Sequence, residues 1–222
     1  MKLVLTIPIF LIVTTFSSFA LDLLTPHVDV KISKQAGKYR FELLGEIRND
    51  YRKVSVIRIT QLSSKKTQDI PVSDGWLASK YIKGWSPLEV HDWSLDGNKD
   101  ISFYSGDSSH PNNYYLRWAF VATEGRFKHT KFSQSLDNKG VNEFDSKSGL
   151  YTAYYRSGAE SNRSFYRAVG SSLVLVKSVE RGYSQAWKDI LPNHAEYSWV
   201  QITTFFNQDG SIRRRFHKTL KS

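Results

Sequence analysis

Residues 151–179, YTAYYRSGAESNRSFYRAVGSSLVLVKSV, contain three short runs in which apolar or aromatic residues are interleaved with polar ones. The runs cover 151–156, 164–169 and 173–179, and turns that contain glycine and serine separate them. Short runs of aromatic and β-branched residues between turns are typical of antiparallel β-strands. This stretch therefore predicts three strands that neighbour one another in a sheet.

The same pattern continues on both sides of this stretch. Further strands are predicted at 28–32, 39–43, 54–62, 101–104, 114–122, 199–206 and 211–218. Many short strands at about ten-residue spacing favour an all-β fold of antiparallel sheets, propeller-like or barrel-like. A short helix is predicted near 183–191, where Pro192 ends it. Residues 21–222 are predicted to form a single β-rich domain, to which 183–222 could add a helix plus hairpin.

The composition excludes several kinds of active site. The 222 residues include no cysteine, so disulfides, thiolate metal sites and a cysteine nucleophile are all excluded. The chain is 40% hydrophobic and 23% charged, which is typical of a folded domain. The six histidines are dispersed and show no zinc-binding spacing. With neither a nucleophile motif nor a convincing pair of catalytic carboxylates, we expect a protein that is not an enzyme.

The N-terminus has the pattern of a secretory signal peptide. Lys2 precedes an apolar segment at 3–14, and Ser18-Phe19-Ala20 forms a small-residue cleavage site. The alternative is a membrane anchor, but about twelve apolar residues are too few to span a bilayer. A secreted domain without disulfides is typical of the Gram-negative periplasm. We therefore predict a leader at 1–20, cleavage after Ala20 and a periplasmic (or secreted) protein.

The positive charge of the chain limits the classes of partner that we expect. The net charge is +10, and removing 1–20 takes away Lys2 and no acid, which lowers it to +9. In the predicted compartment the expected acidic partners are envelope polymers, anionic lipids or an acidic protein, and not nucleic acid. The last predicted strand carries Arg213, Arg214 and Arg215, followed by Lys218 and Lys221. This basic strand at 213–221 is either a stripe that binds anions or a charged edge that prevents sheet-to-sheet aggregation.

The stretch 92–100, DWSLDGNKD, has the spacing of a calcium-binding loop. Side-chain oxygens stand at its positions 1, 3, 5 and 9, in Asp92, Ser94, Asp96 and Asp100. Calcium takes six to eight oxygen ligands, and Asn98 would add its backbone carbonyl. Gly97 permits the sharp turn around the ion. Apolar residues on both sides place the loop between two strands. The alternative is a polar β-turn without metal, for which aspartate and glycine are also expected.

The loop and the motifs that follow it resemble a family of proteins. After the loop come YYLRW at 114–118, GRF at 125–127, YRSGA at 155–159 and SFYR at 164–167. Over about residues 54–180 the chain resembles the secreted bacterial lysozyme-inhibitor-like, or immunity-type, proteins. Their single D-x-[DNS]-x-D-G-x-x-D calcium loop is similar to the integrin-type FG-GAP loops.

This resemblance implies a propeller-like all-β fold and a role in binding and inhibiting a lysozyme-like, peptidoglycan-cleaving enzyme. The inhibition would be steric, and the surface loop at 106–113 is one candidate contact. The alternative function is an envelope module that binds glycans or anionic lipid at a membrane surface. Such a module would use the basic strand and exposed aromatic residues.

Overall fold

The computed structural model describes residues 21–24, 27–48, 51–78, 87–104, 115–187, 191 and 198–220. The predicted leader at 1–20 and the loop at 106–113 lie outside these residues, so both stay predictions. Within the described ranges, no helix is long and apolar enough to cross a bilayer.

The first sheet has five antiparallel strands. These are β1 (Asp22–Leu23), β2 (Val28–Ser33), β3 (Gly37–Arg48), β4 (Tyr51–Gln61) and β5 (Thr67–Ala78). The order is β1-β3-β4-β5, and β2 also pairs with β3. Tyr39, Phe41 and Leu43 alternate along β3 and are all buried, as the period-two pattern predicts.

The second sheet has four antiparallel strands. These are β6 (Leu88–His91), β7 (Asp100–Tyr104), β8 (Tyr115–Val121) and β9 (Arg126–Lys128), in sequence order. Its apolar residues pack against the first sheet to form the largest core. Aromatic rings meet edge-on across this core, with ring centroids 5.7 Å apart for both Tyr39–Phe120 and Phe41–Phe127.

The third sheet contains the remaining six strands. These are β10 (Val141–Asp145), β11 (Leu150–Ser157), β12 (Glu160–Val169), β13 (Ser172–Tyr183), β14 (Trp199–Phe206) and β15 (Ile212–Thr219). They pair antiparallel in sequence order. The C-terminal hairpin predicted near 199–218 is therefore present, and it continues this sheet through the pairing of β13 with β14.

The all-β class with antiparallel sheets is confirmed. The barrel alternative is wrong for the described strands, because they form three open sheets.

The helix lies in a different place from the one predicted. An α-helix, α1 (Lys131–Asn138), follows β9 and contacts β8, β10 and β13. Its N-cap is Thr130, whose hydroxyl accepts a hydrogen bond from the Ser133 backbone N–H. Near the predicted helix at 183–191, a single 3-10 turn covers Ser184–Trp187. Tyr183 pairs with Trp199 in the sheet, so the chain is extended where the helix was predicted to begin. Residues 188–190 lie outside the described part of the chain.

Candidate functional site

The predicted calcium loop connects two antiparallel strands, as expected. β6 ends at His91 and β7 begins at Asp100, and these two residues pair directly. Within the loop the backbone has a positive φ of 60° at Leu95 and 84° at Gly97. Glycine adopts this conformation without steric cost, so Gly97 suits the turn at position 6.

The loop is held in shape by the side chains of its own aspartates. Asp92 accepts hydrogen bonds from the backbone N–H groups of Asp96 at 3.2 Å and Gly97 at 3.0 Å. Asp96 accepts one from the Asn98 N–H at 2.8 Å. The chain therefore folds around the Asp92 carboxylate, and each carboxylate oxygen retains a second lone pair for another partner.

Asp100 ties the loop to the second sheet. Its side chain is buried, with 2% of the residue exposed. One carboxylate oxygen accepts from the Phe120 N–H on β8 and the other from the Ser94 N–H, both at 2.9 Å. Burial raises the pKa of Asp100 to about 6, the two N–H donors oppose this rise, and the charge of Asp96 adds to it. Near neutral pH, Asp100 is thus a buried carboxylate that a bound cation would stabilise.

Two further hydrogen bonds fix the loop to the other sheets. The Tyr151 hydroxyl, on β11, donates to the Trp93 carbonyl at 2.6 Å, and the Lys99 N–H donates to the Ile32 carbonyl at 3.1 Å. Burial raises the pKa of Tyr151 to about 12, and Asp92 and Asp100 contribute to the rise. Trp93 itself is buried in a second core with residues of α1 and the third sheet. The loop thus has hydrogen bonds to strands of all three sheets.

A buried ionic cluster lies beside Trp93, and the sequence analysis missed it. The Arg117 side chain is 1% exposed and lies 3.1 Å from a carboxylate oxygen of Asp137 on α1. Its guanidinium stacks on the rings of Trp93 at 4.6 Å and Tyr115 at 4.9 Å. His129 Nε2 lies 3.0 Å from the other Asp137 oxygen.

Burial has opposite effects on the two charges of this cluster. It lowers the pKa of Arg117 and raises the pKa of Asp137, while their mutual attraction opposes both changes. The only sequence signal was an arginine inside an aromatic strand, which does not by itself predict burial.

The loop residues fit calcium in their donor chemistry. Among the described residues, no three His, Asp or Glu side chains gather closely enough to form a metal-binding group by themselves. The Ser94 hydroxyl, at position 3 of the motif, is nevertheless buried beside the Asp100 carboxylate, and its hydrogen bond opposes the rise in the pKa of Asp100. A buried hydroxyl next to a buried carboxylate supplies oxygen ligands of the kind that calcium takes. Asp92, Ser94, Asp96 and Asp100, with the Asn98 carbonyl, are the residues that could hold the ion.

A cleft of about 310 Å³ opens beside this loop. Three of its lining residues are acidic, in contrast to the net charge of +10 of the whole chain. The Trp93 indole nitrogen and the Asn142 carboxamide oxygen are both buried without a hydrogen-bond partner among the described residues. The complete lining is Glu89, His91, Asp92, Trp93, Asn142, Glu143 and Phe144.

The predicted basic strand forms one edge of the third sheet. All eight residues of β15 are exposed, including Arg213, Arg214, Arg215 and Lys218. Phe216 and Ile212 on the same strand are 41% and 52% exposed. Lys221 lies outside the described residues.

Comparison with known proteins supports the fold. No protein-family model and no curated protein matches this sequence. One solved structure, of a Xanthomonas type IV secretion system related protein, is similar in fold with a TM-score of 0.56. The match covers 91% of this chain and 99% of that protein, at 13% sequence identity. At this identity the likeness shows that the architecture is shared.

Proposed function

We propose that this chain is an envelope-associated binding protein, without enzymatic activity, that inhibits a lysozyme-like, peptidoglycan-cleaving enzyme. The leader predicted at 1–20 supports an envelope location after cleavage at Ala20. The structural neighbour, which is related to a secretion system, is consistent with that location. The resemblance of the loop and strand motifs to lysozyme-inhibitor-like proteins supports the class of target.

The observation that carries this proposal is the acidic cleft beside the loop. Glu89, Asp92 and Glu143 bring three carboxylates to one opening, and the half-buried Phe144 supplies aromatic surface. Arginine and lysine side chains bind well between carboxylates and aromatic rings. A cationic lysozyme would be repelled at long range by the net charge of +9. The cleft would overcome that repulsion locally by receiving a basic side chain of the enzyme.

Calcium in the loop would stabilise the wall of this cleft. Asp92 and Trp93 belong both to the loop and to the cleft lining. A cation would neutralise the aspartates and hold the backbone at 92–100 in one conformation. The ion thus has a structural role, and the affinity of extracellular calcium modules, with Kd of about 0.1–1 mM, is the expected range.

Inhibition assays with purified muramidases test the proposal. We expect a one-to-one complex and loss of lysis of peptidoglycan. The double variant Glu89→Gln, Glu143→Gln should weaken inhibition about tenfold, since each partly exposed charge contributes up to about 1 kcal/mol. The matched control is Glu160→Gln, an exposed acid on β12 outside the cleft, and it should inhibit like the unmodified protein. If no peptidoglycan hydrolase of any type is inhibited or bound, the proposal is wrong.

Calcium binding is tested separately by melting in the presence and absence of a chelator. Chelation should lower the free energy of unfolding by about 1–2 kcal/mol when free calcium was about tenfold above Kd. Asp96→Ala should abolish this difference. Asp69→Ala, which removes an exposed carboxylate paired with Arg58 on the first sheet, should retain it. A melting temperature that never depends on calcium would leave the loop as a plain turn.

A further inference from the structure

The third sheet presents a face of cations and aromatic rings that is separate from the cleft and the calcium loop. Directly paired residues of antiparallel strands lie on the same face, so the register defines this surface. Two rows cross β11–β15 and a third crosses β12–β15, where the buried Thr152 of β11 is left out; together they are called the basic face. The rows are Phe165–Lys177–Phe205–Arg214, Tyr154–Arg163–Val179–Thr203–Phe216 and Arg156–Ser161–Arg181–Gln201–Lys218.

The fourteen positions of the basic face carry only one sign of charge, and its first row continues in register through the buried Thr152 to Glu143 at the edge of the cleft. The fourteen described positions include six cations, four aromatic residues and no aspartate or glutamate. None of the fourteen is buried. On the opposite face of the same strands, Val200 and Ile202 are buried against Leu191. The sheet therefore packs on one side, and the charged residues among the fourteen positions on the other side are all cations. The cations are Arg156, Arg163, Lys177, Arg181, Arg214 and Lys218.

The aromatic rings of this face position its cations. The Lys177 ammonium lies 5.0 Å from the ring centroid of Phe165 and 5.7 Å from that of Phe205. Two guanidinium groups lie over rings in the same way, that of Arg163 5.4 Å from Tyr154 and that of Arg214 4.0 Å from Phe216. Cation–π contacts of this kind restrict the charged groups before any partner arrives. They also cover ring surface on which a sugar would otherwise stack.

We propose that the basic face binds the anionic surface of a lipid bilayer through its phosphate headgroups. The cations are spread over an area of about 19 by 13 Å, from strand spacings of about 4.8 Å and same-face spacings of about 6.7 Å. They do not converge on one point, so they match an array of anions better than one small ligand. A flat array of lysine and arginine is the arrangement that anionic leaflets attract. This inference does not depend on the proposed inhibitor function, because the two surfaces share no residue.

Vesicle flotation tests this proposal with the full mature chain. The protein should float with vesicles that contain phosphatidylglycerol, but not with vesicles of phosphatidylcholine alone. Binding should weaken at high salt, since exposed charges are screened. The triple variant Arg163→Gln, Arg181→Gln, Lys218→Gln should bind these vesicles about a hundredfold more weakly. Each cation removed should lower the affinity about fivefold.

The matched control removes the same charge from another surface. Lys31, Lys34 and Lys38 are exposed residues of the β2–β3 hairpin in the first sheet, and their triple glutamine variant should lose binding only a few-fold. Equal losses in both variants would show that net charge alone is responsible and would overturn the proposal.

Two other results would also contradict it. Binding to purified peptidoglycan but not to vesicles, with the same sensitivity to the three substitutions, would identify an acidic glycan as the occupant. Stable binding to an acidic protein in place of vesicles would identify a protein partner. Muramidase inhibition by the basic-face variant should be unchanged, so failure of this inference is distinguishable from failure of the inhibitor proposal.

Discussion

The buried carboxyl of Asp100 makes the stability of this protein depend on pH in an unusual direction. Its pKa rises from 3.8 to about 6 in the folded protein, a difference worth about 3 kcal/mol. Because the folded state holds this proton more tightly, the stabilisation is complete below about pH 4 and is lost as the pH rises through about 6. Without calcium, the protein should therefore become less stable across this interval.

Other acidic groups also make the stability depend on pH, and their contributions can be separated from that of Asp100. Asp29, Asp69, Asp145 and Asp209 have lowered pKa values because of hydrogen bonds or ion pairs. The stability that these four groups contribute is lost only as the pH falls below about 4. Asp137 has a pKa raised by burial and acts in the same direction as Asp100. The contribution of Asp100 must therefore be measured as a difference from a variant.

Urea unfolding followed by tryptophan fluorescence measures that difference. In calcium-free buffer, the unmodified protein should lose about 2 kcal/mol more than Asp100→Asn between about pH 4 and pH 6.5. The asparagine cannot ionise, although its amide leaves one of the Ser94 and Phe120 N–H donors without an acceptor. The Asp100→Asn substitution should thus lower the free energy of unfolding at acidic pH. It should also remove the part of the pH dependence that Asp100 causes.

Calcium should reverse the loss of stability that rising pH causes in the unmodified protein, because the ion binds the ionised carboxylate in competition with the proton. Below about pH 6 its affinity should fall about tenfold for each pH unit. The same pH slope in the unmodified protein and in Asp100→Asn would refute the assignment of the slope to this carboxyl. A calcium affinity independent of pH through this interval would refute its role as a ligand.

Three further substitutions test the contacts around the loop. Arg117→Ala should destabilise the protein by about 3–5 kcal/mol in urea unfolding, because Asp137 would stay buried without its cation. Tyr151→Phe removes the 2.6 Å hydrogen bond to the Trp93 carbonyl; it should cost about 1–2 kcal/mol and weaken calcium binding measured by calorimetry. In Gly97→Ala the added methyl group meets no atom within 4 Å, but the alanine must adopt a φ of +84°. The substitution should therefore cost about 1–2 kcal/mol, and the variant should unfold at a lower temperature with an unchanged core.

The local pattern of the sequence predicted the sheets well and the helix poorly. Alternation along β3 and β14 is visible in single residues, because each of these strands places every second side chain in the core. The segment at 131–138 has only two apolar residues, Phe132 and Leu136, one turn apart, and a stripe this short is a weak signal even with the Thr130 cap and the following Gly140. The pairing of Tyr183 with Trp199 makes the first residue of the predicted helix the end of a strand, and a pairing over that distance is not readable from either segment alone.

For the candidate site, the sequence by itself determined the loop. The spacing of Asp92, Ser94, Asp96 and Asp100 and the flanking strands follow from neighbouring residues, and the β6–β7 hairpin agrees with them. Sequence could not predict that Asp100 binds the Phe120 N–H, nor that Arg117 is buried between rings. Both depend on partners twenty or more residues away, and a charged residue is buried only where such partners offset its loss of water.

The basic face shows the same division between sequence and structure. Three neighbouring arginines at 213–215 are visible in the sequence, and either of two interpretations fits them. The register of four strands aligns Arg214 with Phe205, Lys177 and Phe165, and this alignment turns separate charges into one surface. Sequence determines which residues alternate, because that property is local to the chain. Only the tertiary structure decides which of them become neighbours, because cross-strand pairing joins segments that are distant along it.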